Sequence, residues 1–68
     1  MLTVKEWRKA KDISIVSMAE KLDVAPTTWM KWEEEPWKIP MGKFDLFCEL
    51  VGAERGQVEY RPKTLQNE

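Results

Sequence analysis

The residues from Ser14 to Glu33 have the types and the spacing of two short helices joined by a tight corner. Apolar side chains recur on one face of each helix and at the turn between them: Met18, Ala19, Leu22, Val24, Trp29 and Trp32. A corner of this kind, a helix-turn-helix, can place its second helix in the major groove of DNA. The chemistry that this pattern indicates is recognition of a nucleic acid by an exposed helix face.

Residues that begin and end helices lie at the expected places in this segment. Ser14 can accept hydrogen bonds from the amides that open the first helix. Asp23 tolerates the left-handed conformation that the corner needs, and Pro26 suits a first helical turn, where no amide donor is required. Ala25 is a poor N-cap, so the start of the second helix is less well marked.

Side chains for catalysis and for metal binding are scarce. The chain has no His and one Cys, which excludes Cys/His zinc sites, Cys-His nucleophile pairs and Ser-His-Asp triads. A chain of 68 residues is also too short for a deep enzyme cleft. Cys48 is interpreted as a small buried residue in preference to a reactive thiol. We therefore expect no enzyme activity, no catalytic residues, no metal, no cofactor and no small-molecule substrate.

The net charge of -1 argues against bulk attraction to a nucleic acid, but the charge is unevenly distributed. Residues 1–31 carry six basic and four acidic groups, whereas residues 32–68 carry five basic and eight acidic groups. A basic face could therefore form in the N-terminal half. No apolar run approaches the roughly 18 residues of a membrane span, and residues 1–10 lack the apolar block of a signal peptide. These features predict a cytoplasmic protein without a membrane partner.

The remaining elements frame the corner. Thr3 and Glu6 have the spacing of a capping box, which predicts a helix from about Val4 to Lys11. Two prolines make residues 34–40 a loop. From Met41 an amphipathic helix is predicted to end at Gly52, and its apolar stripe comprises Phe44, Phe47, Cys48 and Val51.

The end of the chain has weaker signals. Residues 53–58 could form one short helical turn, and residues 59–61 before Pro62 have an extended pattern. We expect residues 1–60 to form one domain and residues 61–68 to be a flexible tail.

Together these residues resemble the Cro/CI-type helix-turn-helix (XRE) family, the lambda-repressor-like DNA-binding domains of phage and bacterial regulators. The match runs from about Thr3 to Tyr60, and it rests on Arg8, Ala19, Leu22, Val24, Trp29, the Lys31-Trp32-Glu33 run, Pro40 and the helix from Phe44 to Gly52. The resemblance implies an all-α fold, a compact bundle of about four or five helices. It also implies a sequence-specific transcriptional regulator, such as a phage or prophage repressor, that binds a double-stranded DNA operator as a homodimer.

The resemblance assigns roles to individual residues. The base-reading positions would be Pro26, Thr27, Met30 and Lys31. The positions at the DNA backbone would be Ile15, Thr28, Lys38 and Lys43. Arg8 and Glu33 would form an ion pair that ties the first helix to the reading helix.

Three positions depart from the family pattern. Ile15 stands where the family often has Gln, Pro26 replaces a residue that commonly donates to bases, and Glu35 stands where Gly is usual. Glu34 and Glu35 also add negative charge beside the expected DNA backbone. These departures predict modest DNA affinity.

The sequence leaves the dimer contact and the function with alternatives. The homodimer could form through Val58, Tyr60, the helix that contains Phe44, or the tail. The alternative function is a protein-interaction module on the same scaffold, such as an antirepressor or a regulator-binding protein. In that case an exposed apolar patch would comprise Ile15, Val16, Met30 and Trp37.

Overall fold

The chain is mostly helical in a computed structural model, which describes residues 1–61. The helices are α1 (Val4–Ala10), α2 (Ile15–Lys21), α3 (Pro26–Glu34) and α4 (Met41–Val51). Short 3₁₀ turns follow α3 (Pro36–Lys38) and α4 (Arg55–Gln57), and the two-residue strands are β1 (Leu2–Thr3) and β2 (Val58–Glu59). This content agrees with the predicted all-α class. The predicted flexible tail falls, apart from Arg61, outside the described residues.

The predicted helix ends are present as hydrogen bonds and backbone angles. The Glu6 amide donates to Thr3 Oγ1 at 3.2 Å, while the Thr3 amide donates to Glu6 Oε1 at 2.8 Å. The Ser17 amide donates to Ser14 Oγ at 3.0 Å, which caps α2. Gly52 ends α4 with a left-handed φ of 72°. Because these contacts are local in sequence, their residue types alone placed the helices correctly to within about one residue.

Both corners of the N-terminal half use aspartate in the left-handed conformation. Asp12 has a φ of 58° after α1, and Asp23 has a φ of 59° between α2 and α3. Aspartate tolerates this region better than most residues other than glycine. Helix α1 ends at Ala10, one residue before the predicted end at Lys11, and Lys11 is its C-cap residue.

Two elements differ from the sequence-based expectation. Strands β1 and β2 pair in parallel, with Leu2 opposite Val58 and Thr3 opposite Glu59, and no such pairing was predicted. The predicted loop over residues 34–40 contains a 3₁₀ turn, since Pro36 occupies its first position and needs no amide donor there. The short turn predicted within residues 53–58 is present at Arg55–Gln57.

The core is built around the inner face of α3. Trp29 is fully buried, and its ring centroid lies 5.4 Å from that of Phe47 on α4. Trp32 contacts the edge of Trp29 at a centroid distance of 6.2 Å. The other buried apolar residues are Val4, Met18, Ala19, Leu22, Ile39, Phe44, Cys48, Val51 and Val58. Aromatic packing therefore fixes one side of α3 and leaves its other side to solvent.

Two further observations concern the single cysteine and the lengths of the helices. Cys48 is buried as expected, and burial raises the pKa of its thiol above the usual value. Among residues 1–61, no α-helix combines the length and the apolar character that crossing a membrane requires.

Candidate nucleic-acid interface

The outer face of α3 carries the residues to which base reading was assigned. Pro26, Thr27, Met30 and Lys31 are all exposed, whereas Trp29 is buried on the opposite side. This division follows from the helical period, which separates positions 27, 30 and 31 from positions 29, 32 and 33. Thr27 presents a hydroxyl group, Met30 a thioether and Lys31 an ammonium group. No described element covers them.

The first turn of α3 presents backbone amides. Its N-cap residue, Ala25, provides no side-chain hydrogen bond, and Pro26 has no amide hydrogen. The amides of Thr27 and Thr28 therefore lack a side-chain cap from the described residues. Free amides at the start of a nine-residue helix can donate to an anion such as a DNA phosphate. Thr28 is half-buried beside them, and its assignment to the DNA backbone stays a prediction.

A buried ion pair holds α3 to α1. Glu33 Oε2 accepts a hydrogen bond from Arg8 Nε, and Glu33 Oε1 accepts one from Arg8 Nη2 at 3.4 Å. Both side chains are almost fully buried. The pair that the resemblance implied is therefore present.

The ion pair belongs to a larger network that the sequence analysis missed. Trp29 Nε1 donates to Glu33 Oε2 at 2.7 Å, and Arg8 Nη1 donates to the carbonyl of Ile13 at 2.7 Å. The spacing of Trp29 and Glu33, four residues apart on one helix, could have indicated the first bond. Through these bonds one guanidinium connects α1, the segment before α2 and α3. The network fixes the orientation of α3 without using any residue of its outer face.

Lys38 lies on the 3₁₀ turn after α3, and its ammonium group is already paired. Lys38 Nζ lies 2.6 Å from Glu35 Oε1, and the Lys38 side chain is largely exposed. The hydrogen bond from Lys38 and its charge lower the pKa of Glu35, as does the nearby charge of Lys31. Glu35, which departs from the family pattern, thus competes with a phosphate for Lys38.

Lys43 makes a contact within the fold that its predicted place at the DNA backbone did not indicate. Its Nζ donates to the carbonyl of Leu22 at 2.7 Å, and the side chain is half-buried. Leu22 is the C-cap residue of α2 and begins the corner to α3. This bond joins the corner to α4, and a contact of Lys43 with the DNA backbone stays a prediction. A carbonyl partner 21 residues away along the chain leaves no local sequence signal.

Ile15 lies at the first position of α2 and is half-buried. It lines a small cleft of about 270 Å³ with Met30 and with Lys5, Glu33 and Glu34. The side chain cannot bind a phosphate, so any contact by this residue would use its backbone amide.

The four apolar residues considered for a protein partner, Ile15, Val16, Met30 and Trp37, lie at different places on the surface. Ile15 and Met30 line the small cleft, whereas Trp37 lines a separate, larger groove beside β2 and α4. Val16 is exposed on α2. The four residues therefore do not line one common surface depression.

Comparisons with known proteins give no family assignment. No protein-family model, curated protein or solved structure matches the chain. Residues 1–61 also contain no cluster of acidic or cysteine side chains suited to holding a metal ion.

Proposed function

We propose that this chain is a sequence-specific DNA-binding transcriptional regulator with a lambda-repressor-like helix-turn-helix fold. The observation that carries the proposal is the two-sided character of α3. Trp29 and the Arg8–Glu33 pair fix its inner side, while Pro26, Thr27, Met30 and Lys31 are exposed on its outer side. A helix held in this way can enter a major groove without a change in the fold.

The exposed side chains suit contacts with base edges. Lys31 can donate to O6 and N7 of guanine, and Thr27 can donate to or accept from several base atoms. Met30 and the threonine methyl groups can contact a thymine methyl. Pro26 contributes only van der Waals contact, because it has no donor.

Contacts with the DNA backbone would come mainly from groups around this helix. The amides of Thr27 and Thr28 can bind a phosphate, as can the amide of Ile15 at the start of α2. Lys38 can reach a phosphate by exchanging its partner Glu35. Since Glu34 and Glu35 place negative charge nearby, the proposal includes modest affinity and strong dependence on salt.

The regulator would act as a homodimer on a two-fold operator in the cytoplasm, as a phage or prophage repressor does. One module buries only about 600 to 1,000 Å² on DNA, so two are needed for useful selectivity. Val58 is buried within the protomer, whereas the helix that contains Phe44 exposes Met41 and Leu46 and stays a candidate for the dimer contact. Tyr60 is exposed and is a second candidate.

Selection of bound fragments from a pool of random DNA duplexes tests the proposal. The expected result is an enriched sequence with two-fold symmetry, because each protomer would read the same half-site. The matched control is the double variant Thr27→Ala/Lys31→Ala, which keeps the buried side of α3. An unenriched pool for the unmodified chain, or equal enrichment by the double variant, would refute base reading by α3.

A protein-interaction module without DNA binding is the competing function. The exposed apolar side chains of Val16 and Met30 favour it. Apolar protein contacts respond little to salt, whereas contacts with phosphates weaken steeply, so a salt titration separates the two.

A further inference from the structure

The outer face of α3 has two edges of different chemistry. Pro26 and Met30 are four residues apart and lie along one edge of the helix, while Thr27 and Lys31 lie along the other. All four residues are exposed. The side chains of the first edge are apolar and have no hydrogen-bond donor, whereas those of the second present a hydroxyl group and an ammonium group. The two edges therefore suit different features of a base pair.

The apolar edge continues across to α2. Met30 is 50% exposed, so one part of its side chain contacts the protein and the other part is free. Ile15, the first residue of α2, is half-buried and lines the same cleft of about 270 Å³ as Met30. Charged residues complete the lining of this cleft: Lys5, Glu33 and Glu34. Met30 thus has an apolar neighbour at the position where the resembling family often has Gln.

An apolar edge of this kind matches one feature of the major groove. Thymine presents a C5 methyl group there, whereas cytosine has no methyl group at the same place. An apolar side chain that covers the donors or acceptors of another base leaves them without a partner, which is unfavourable. Contact with a methyl group loses no hydrogen bond and removes apolar surface from water. The apolar edge therefore favours thymine over the other bases.

From this division we infer that Met30, with Ile15 as its apolar neighbour, selects a thymine of the operator through the methyl group of that base. Lys31 reads a different base pair from the other edge of α3. The inference rests on the proposed function, and it goes further by naming the chemical group that the apolar edge requires. Ile15 and Pro26, which lack the donors of the family pattern, then belong to a surface that reads a methyl group.

Replacement of thymine by uracil in the selected duplex tests the inference, because it removes the methyl group and keeps the base pair. Each thymine is replaced in turn, in both half-sites, and affinity is measured by fluorescence anisotropy. One position should weaken binding about fourfold per half-site, the value expected for burial of one methyl group. We call the ratio of the two affinities the methyl effect. A loss of stability in a variant affects both duplexes equally and leaves this ratio unchanged.

Variants assign the methyl effect to the apolar edge. Met30→Ala should abolish it, and this exposed substitution leaves the core intact. Met30→Leu retains an apolar side chain and should keep much of the effect, while Ile15→Ala should reduce it. Lys31→Ala should keep the full effect, because it removes a donor and no apolar contact. Leu2→Ala is the control, since it removes an exposed apolar side chain from β1 and should leave the effect unchanged.

The contrary outcomes separate the inference from the proposed function. Binding to a selected duplex that contains no thymine, or that is insensitive to every thymine methyl group, overturns the inference and leaves DNA reading by α3 standing. A methyl effect that Met30→Ala or Ile15→Ala keeps in full also overturns it, since the methyl group would then lie against other residues. If the chain binds no duplex, the proposed function fails and the inference fails with it.

Discussion

At the scale of single residues, Arg8 joins three segments of the fold: α1, the residues before α2, and α3. Its guanidinium donates to the Glu33 carboxylate and to the Ile13 carbonyl, and Glu33 also accepts from Trp29. Each polar group in this buried network is satisfied by another. Removal of one member leaves the others without partners in a largely buried site.

Arg8→Ala should therefore lower the free energy of unfolding by about 3 kcal/mol or more, because it leaves the Glu33 carboxylate buried and unpaired. Urea unfolding followed by tryptophan fluorescence measures the change. Lys9→Ala is the matched control, since Lys9 is an exposed basic residue on the same helix. An Arg8→Ala variant with the stability of the unmodified chain would show that the pair does not form in solution.

Lys31 tests base reading at one residue. Lys31→Ala should weaken binding to the preferred duplex by about 1 to 3 kcal/mol and relax selectivity at one base pair, because a direct donor to a base edge is lost. Competition binding against a panel of single-base variants of the selected duplex measures both effects. Lys9→Ala removes the same charge from an exposed site on α1 and should change affinity only slightly. Equal weakening on every duplex would reassign Lys31 to backbone contact.

At the scale of elements, local signals placed the helices and missed the contacts between distant segments. The capping box of Thr3 and Glu6, the cap of Ser14 and the left-handed Gly52 were predictable because each involves neighbours in sequence. The pairing of Leu2 with Val58 was not predictable, because two-residue strands are too short to show an alternating pattern.

At the candidate site, too, the sequence predicted what depends on neighbouring residues and missed contacts between distant segments. Exposure of Thr27, Met30 and Lys31 follows from the helical period around the buried Trp29. The partners of Lys38 and Lys43 depend on how α3, its following turn and α4 pack, which no local pattern encodes. The ion pair of Arg8 and Glu33 came from the family resemblance alone, since its partners are 25 residues apart.

Lys43 gives a prediction at this scale, because its bond to Leu22 joins α4 to the corner between α2 and α3. Lys43→Met keeps the apolar stem but removes the donor, and it should lower stability by about 1 to 2 kcal/mol. DNA affinity should fall through misplacement of α3, while the dependence of affinity on salt stays the same. Urea unfolding and binding at several salt concentrations measure the two effects.

Lys43→Arg is the matched control, because it retains a cationic donor and should recover much of the lost stability. A direct phosphate contact would give another pattern. In that case Lys43→Met would keep its stability and lower the salt slope by about 0.9, which would contradict a structural role for this side chain.

At the scale of the whole molecule, a small acidic chain would have to bind a polyanion. The net charge of -1 provides no general attraction to DNA. Binding would rely on a few groups at one surface, namely Lys31, Lys38 and the free amides of α3.

Binding of the unmodified chain to a selected duplex, measured as a function of salt concentration, tests the central claim most directly. If α3 docks in a major groove with flanking phosphate contacts, the logarithm of the binding constant should fall linearly with the logarithm of the salt concentration, by about 0.9 per phosphate neutralised. A scrambled duplex of equal length should bind more weakly at every salt concentration. The account predicts a clear slope together with this preference, and absence of binding to any duplex at low salt would contradict it.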